Sequence, residues 1–248
     1  MNWKLRIFIL GICLLGVAAG DKWYDTPFQE WGEKDIDKML KKSPWAASYT
    51  FAPQSSTSPA SSGSRGGRGG GGGGGASGAS AQQSARVAPA VYIRAQWYSA
   101  KPIRMALARQ VQLLNPAADV NLIDQFVNTD PEDVILMLGF DSNATGAGQS
   151  RMISGIMARE TLETLGPVTE LVTKNKKQIN LKQYVPPNRE DPTAKFVFPR
   201  LLADGRPLLE MEDKEASFRT VLELRDRKLR LNFRFKTKDM LFAGELTY

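Results

Sequence analysis

Residues 216–235 read ASFRTVLELRDRKLRLNFRF. In the second half, Leu229, Leu231, Phe233 and Phe235 alternate with Arg230, Asn232 and Arg234, and Lys236 continues the series. Successive side chains of a strand point to opposite faces, so strict alternation marks a strand with one buried and one wet face. Residues 216–224 pair with residues 229–235 as the clearest hairpin of the chain. One buried face demands a partner layer, which the rest of the sequence must supply.

Working outward, residues 169–173 and 179–185 flank a Lys/Asn turn at 174–177 as a second hairpin. Pro186-Pro187-Asn188 breaks the chain, and Phe196-Val197-Phe198 is a short strand ending at Pro199. Residues 134–140, VILMLGF, follow the turn 130–133; a short apolar run bounded in this way predicts a central strand. Residues 91–98 alternate and are rich in aromatic and branched side chains, a further strand.

Helices are expected between these strands. Pro102 opens one over 103–114, with Ile103, Leu107, Val111 and Leu114 on one face. Asn115 caps and Pro116 opens another, running to about residue 127. A third covers 151–165 and stops at Gly166-Pro167. Near the start, Thr26, Pro27 and Gln29 form a capping box with proline in the first turn. Phe28, Trp31, Ile36, Met39 and Leu40 then recur at helical spacing until Pro44, and residues 48–51 read as a short strand. The sum is an α+β fold: several helices packed on a mainly antiparallel sheet.

The ends of the 248-residue chain are organised differently. Lys4 and Arg6 precede an apolar run, residues 7–19, and acidic residues begin only at Asp21. That order predicts a cleavable export signal over 1–20, with Val17 and Ala19 as the small residues before the cut. The run is too short for a bilayer-spanning helix, which needs about 20 residues. Cys13 lies mid-run behind bulky Ile12, a poor lipidation context. Residues 21–52 form a segment of helix and short strand. Residues 53–88 are a Gly/Ser-rich linker that cannot bury enough apolar area to order itself, so disorder is expected there. Residues 89–248 form the main α+β domain. The strands at 48–51 and 91–98 are candidates to pair across the linker.

Composition excludes several chemistries. The chain has no histidine, and its one cysteine, Cys13, leaves with the signal. Imidazole bases, Ser-His-Asp and Cys-His catalysis, disulfides and zinc are therefore not expected, and no cofactor is implied. Lys and Arg number 33 against 26 Asp and Glu; losing Lys4 and Arg6 leaves a net charge of +5. This mild excess permits an anionic partner without requiring one. Arg65-Gly66-Gly67-Arg68 has only two arginines and no interleaved aromatics, so nucleic acid is not the expected partner. The loop 141–150, DSNATGAGQS, lacks the lysine and hydroxyl of a phosphate loop, but its place between a buried strand and a helix makes it a candidate ligand border. Asn143-Ala144-Thr145 fits a glycosylation sequon. Trp23, Trp31 and Trp45 crowd together; docking of the first helix is the expected use, stacking on sugars the alternative.

The candidate binding residues are Arg230, Arg234 and Lys236, the wet face of the last hairpin strand, joined by Arg219 and Arg225 if the register allows. Such a face serves solubility or meets an anionic partner.

The stretches PFQEWGEKDIDKMLKKSPWA (27–46) and FRFKTKDMLFAGELTY (233–248) resemble segments of small uncharacterised secreted bacterial proteins. That resemblance implies an exported bacterial origin and no activity, cofactor or site. The expectation is an exported, periplasmic or secreted, non-catalytic binding module whose partner is an envelope or extracellular protein or glycan. A carboxylate-dependent glycan hydrolase and a polyanion binder using the basic face are the alternatives.

Overall fold

The computed structural model describes residues 26–52, 88–175, 177–225 and 227–248. The expected signal at 1–20, Trp23 and all but residue 88 of the Gly/Ser-rich linker lie outside the described residues.

The decisive hairpin forms as β8 (Glu215–Glu223) and β9 (Lys228–Lys236). Leu229, Leu231, Phe233 and Phe235 are buried and their neighbours on β9 exposed. With β4 (Glu170–Thr173) and β5 (Gln178–Asn180) these strands make a four-stranded antiparallel sheet in the order β5-β4-β8-β9.

The partner layer is a five-stranded antiparallel sheet in the order β1-β2-β3-β7-β6. Its strands are β1 (Ala46–Phe51), β2 (Val91–Trp97), β3 (Asp133–Ser142), β6 (Gln183–Val185) and β7 (Ala194–Pro199). The apolar run at 134–140 is its central strand. β1 pairs with β2 in the register Ser48↔Arg94, joining the chain on either side of residues 53–87 in one sheet.

The core lies where the sheets face each other. Trp97 packs edge-on against Phe235, and Phe218 meets Phe196 and Phe198, with ring centroids 4.9–6.2 Å apart. Each fully buried aromatic or leucine contributes roughly 1.5–3 kcal/mol relative to exposure. The opposite face of the first sheet, carrying Arg94, Gln96 and Met137, is covered by helices. These are α1 (Glu33–Lys42), α2 (Lys101–Leu114) and α3 (Val120–Asn128). Three layers result: helices, first sheet, second sheet. The outer face of the second sheet stays open.

Several expected boundaries shift. Thr26 does not cap a helix. Residues Phe28–Glu30 form a short 3-10 turn, and α1 starts after Gly32, whose N–H donates to Asp35 at 3.1 Å. Asn115 does not start α3 either; Asp119 caps it, accepting from the Asn121 N–H at 2.8 Å. The helix expected over 151–165 is two, α4 (Ala147–Met157) and α5 (Leu162–Leu165), because Thr161 caps a new start. The strand expected over 179–185 divides between β5 and β6, which belong to different sheets. Trp31 and Trp45 are buried, donating their ring N–H groups to the carbonyls of Thr26 (3.1 Å) and Thr247 (2.6 Å). They hold the N-terminal helix against the body, and neither offers a ring face to a sugar.

The loop at 141–150 is occupied by an internal task. The Asn143 side chain accepts from the N–H groups of Ala90 (3.0 Å) and Gly146 (2.8 Å) and donates to the Ala88 carbonyl at 2.8 Å. A Cβ on Gly146 would lie 2.2 Å from the Ala90 carbonyl oxygen, so the close approach needs glycine. The sequon asparagine thus staples the chain as it enters β2.

Candidate functional site

The register of the second sheet decides what its open face presents. Directly paired residues share a face, so Arg219 lies beside Asn232, Val221 beside Arg230, Ser217 beside Arg234 and Glu215 beside Lys236. The three sequence candidates, Arg230, Arg234 and Lys236, are all exposed on this face. At about 3.4 Å per residue they span roughly 20 Å along β9. Arg219 joins them. Arg225 does not, because β8 ends at Glu223 and Arg225 lies past it in the hairpin connection.

Neutralisation across this face is uneven. Arg219 reaches Glu170 at 3.4 Å and Lys228 reaches Glu223 at 2.7 Å. Among the described residues Arg230, Arg234 and Lys236 make no ion pair. Exposed pairs contribute at most about 1 kcal/mol, so the Arg219–Glu170 pair yields readily to a competing anion.

At the β5 end the face deepens into a groove of about 870 Å³. Its floor is Arg219, Arg230, Asn232 and Asn180; its wall is Leu162, Pro167 and Val168, from α5 and the turn after it. Thr169 and Thr220 lie behind the floor with hydroxyls 2.7 Å apart, a buried mutual hydrogen bond that fixes β4 against β8. The wall was invisible to pattern reading. Its residues lie far ahead of β9 in the chain, and only the tertiary fold brings them alongside.

Glu170 is the one carboxylate among the described residues lining this groove, and it is held by Arg219. Sugar hydrolysis needs two carboxyl groups facing each other across the scissile bond, about 5–10 Å apart. The groove supplies arginines, amides and an apolar wall, which is the chemistry of holding an anionic, hydrogen-bonding chain.

Two other charged clusters are structural. The Lys177 ammonium contacts Glu210 and, at 3.3 Å, the fully buried Asp213. Burial works against its charge, but hydrogen bonds to Glu210 and Asp213 outweigh that and raise its pKa. The cluster pins the β4–β5 turn to the segment preceding β8. Arg104, buried in α2, donates to the Phe126 and Thr129 carbonyls at the C-terminus of α3 and to Asp130. Among the described residues no group of acidic side chains is arranged to hold a metal ion, and no helix is long and apolar enough to cross a membrane.

No protein-family model matches this sequence, and no curated protein matches it. Among solved structures, a protein of unknown function from Burkholderia pseudomallei is similar at 8% identity and a TM-score of 0.31. The match covers 56% of this chain and 73% of that one. A likeness of that size carries no conclusion about fold or function.

Proposed function

We propose that the protein is an exported, non-catalytic binding module that lays an anionic polymer along the open face of its second sheet. The observation that carries this is the face itself. One side of the sheet is core. The other holds Arg230, Arg234 and Lys236 in a row, without ion-pair partners among the described residues, beside a groove floored by Arg219 and Asn180. A row about 20 Å long matches repeated charges on an extended chain better than a single small ion. Export rests on the sequence alone: the basic start, the apolar run and the small residues before Asp21.

The test is fluorescence anisotropy of a labelled heparin oligosaccharide, a generic polyanion, titrated with the protein at 50 and 200 mM salt. Three displaced counterions weaken binding roughly twenty- to forty-fold over that range. Replacing Arg230, Arg234 and Lys236 together with alanine should abolish most of the binding and flatten the salt slope. Equal binding by the triple variant, or binding indifferent to salt, would defeat the proposal.

A further inference from the structure

On the side of the molecule away from that face, α2 and α3 meet in a short corner that is apolar where water should favour polar side chains. Leu114 is 80% exposed, Leu122 64% and Val120 60%, with Val111 and Leu113 also exposed. They gather at the turn between the helices, where α2 ends at Leu114 and α3 begins at Val120. The apolar face expected along α2 is real, but only its first half is buried; Val111 and Leu114 run out past the sheet.

On its α1 side the corner is flanked by positive charge, whereas Asp119, Glu190 and Asp191 border the groove on its other side. The groove between α1 and the end of α2 is bordered by Leu113 and Leu114 and by Lys34, Lys38, Lys41 and Lys42. With Arg94 its lining holds five cations against Glu33 and Asp37; Asp37 is tied to Lys41, and Arg94 to Asp141. Exposed leucines and valines at a helix–helix turn beside a cluster of lysines fit a fluid, negatively charged surface. Acyl chains take up side chains that stick out without needing a shaped socket, and long lysines reach the headgroups while their stems stay apolar.

We infer that the α2–α3 corner inserts into the surface of an anionic lipid bilayer, with Leu114 and Leu122 entering the acyl boundary and the α1 lysines holding the headgroups. The inference is independent of the polymer-binding face. Together the two surfaces, on opposite layers, would let the protein hold an anionic polymer at a membrane.

The experiment must read the corner locally, because residues 7–19 can bind vesicles by themselves. In the full chain with Cys13→Ser, an environment-sensitive fluorophore is attached through Leu114→Cys, and in a second protein through Arg234→Cys. Each is mixed with vesicles of phosphatidylcholine alone or with 30% phosphatidylglycerol. The expected result is a blue shift at position 114 with anionic vesicles, quenched by lipid-borne quenchers, and none at position 234. Leu122→Ser should weaken vesicle binding of the 114-labelled protein roughly tenfold or more. Three results would overturn the inference: no change at 114 when the protein sediments with vesicles, an equal change with neutral vesicles, or a change that grows with protein concentration without lipid. The last would mean that a second copy covers the corner.

Discussion

Replacing Tyr248 with phenylalanine isolates one buried polar contact without disturbing the packing around it. The Tyr248 ring is buried, meets Trp97 edge-on at 6.0 Å and lies under the Arg200 guanidinium at 5.4 Å; phenylalanine keeps that shape. What goes is the hydroxyl, which donates to the Leu209 carbonyl at 3.2 Å and accepts from the Leu209 N–H at 3.3 Å. Leu209 is itself buried, so water cannot readily take over either group. An unpaired buried donor or acceptor costs about 1–3 kcal/mol, and both bonds here are long for a hydroxyl, which places each near the low end. The sum is about 2 kcal/mol. For a protein of this size each kcal/mol moves Tm by about 2–4 °C, so Tyr248→Phe should lower Tm by about 4–8 °C. The assay is thermal unfolding followed by near-ultraviolet circular dichroism, with Tyr92→Phe at an exposed site as the control. A loss under about 1 °C would mean that the Leu209 backbone does not depend on Tyr248, and that the C-terminal segment is held by its apolar contacts and by the Trp45 and Arg200 hydrogen bonds to the Thr247 and Tyr248 carbonyls.

Other perturbations probe different elements. Ala243, at φ 52° beside Gly244 at φ 84°, occupies the first place of the two-residue turn between β10 (Leu241–Phe242) and β11 (Glu245–Leu246). Ala243→Asn should stabilise by about 0.5–1 kcal/mol in chemical denaturation, since Asn-Gly suits such a turn and alanine does not. Arg104→Met should cost about 2–4 kcal/mol and accelerate amide exchange in α3. The loss comes from the Phe126 and Thr129 carbonyls rather than from Asp130, which is 80% exposed and simply rehydrates. Tyr184, whose hydroxyl donates to the Met157 carbonyl at 2.7 Å, has its pKa raised by burial and by the charge of Glu160. Above about pH 10 the unfolded chain releases a proton that the folded one retains, so stability falls as pH rises, by up to about 1.4 kcal/mol per unit. Tyr184→Phe should make the decline above about pH 10 shallower in pH-dependent denaturation.

What could be read from the sequence was whatever a single element decides for itself. Alternation over 229–235 defines a strand, its faces and therefore the row Arg230, Arg234, Lys236, because the two-residue period belongs to the strand alone. The apolar run at 134–140 was recognisable as central because a short, continuously apolar strand needs cover on both faces. Helix starts were less legible, because competing caps sit close together. Thr26 and Asn115 both carry suitable side chains, yet Gly32 and Asp119 mark the starts, and local propensity differs little between such neighbours. Thr161 opens α5 in the middle of a stretch that reads as one continuous helix, since no apolar period there separates one helix from two.

The groove was legible only in part, for a reason that the topology makes plain. Arg219 could be placed beside Asn232 only through the β8–β9 register, and the wall of Leu162, Pro167 and Val168 only through the packing of α5 beside the second sheet. The division of residues 179–185 between β5 and β6 has the same origin. Leu181 and Lys182 carry the chain from one sheet to the other, and the Lys182 N–H already donates to the Val197 carbonyl of the first sheet at 2.8 Å. The in-and-out pattern slips by one residue there, with Lys182 and Gln183 both exposed between buried Leu181 and Tyr184, but a mixed apolar and polar stretch without Gly or Pro still reads as one strand although the hydrogen-bond partners change.

The same crossing explains why the second sheet has an open face at all. β5 and β6 are each three residues long, so the passage between sheets is tight and holds the two layers face to face at that edge. At the other edge Arg227 lies over the Phe51 ring at 4.9 Å, linking the β8–β9 connection to β1. Held at both edges, the second sheet turns its apolar side fully inward, and the helices α1 to α3 are already committed to the far side of the first sheet. No described element remains to cover Arg230, Arg234 and Lys236. Their exposure therefore follows from the topology, and a binding role for them is tested by charge removal without risk to the core.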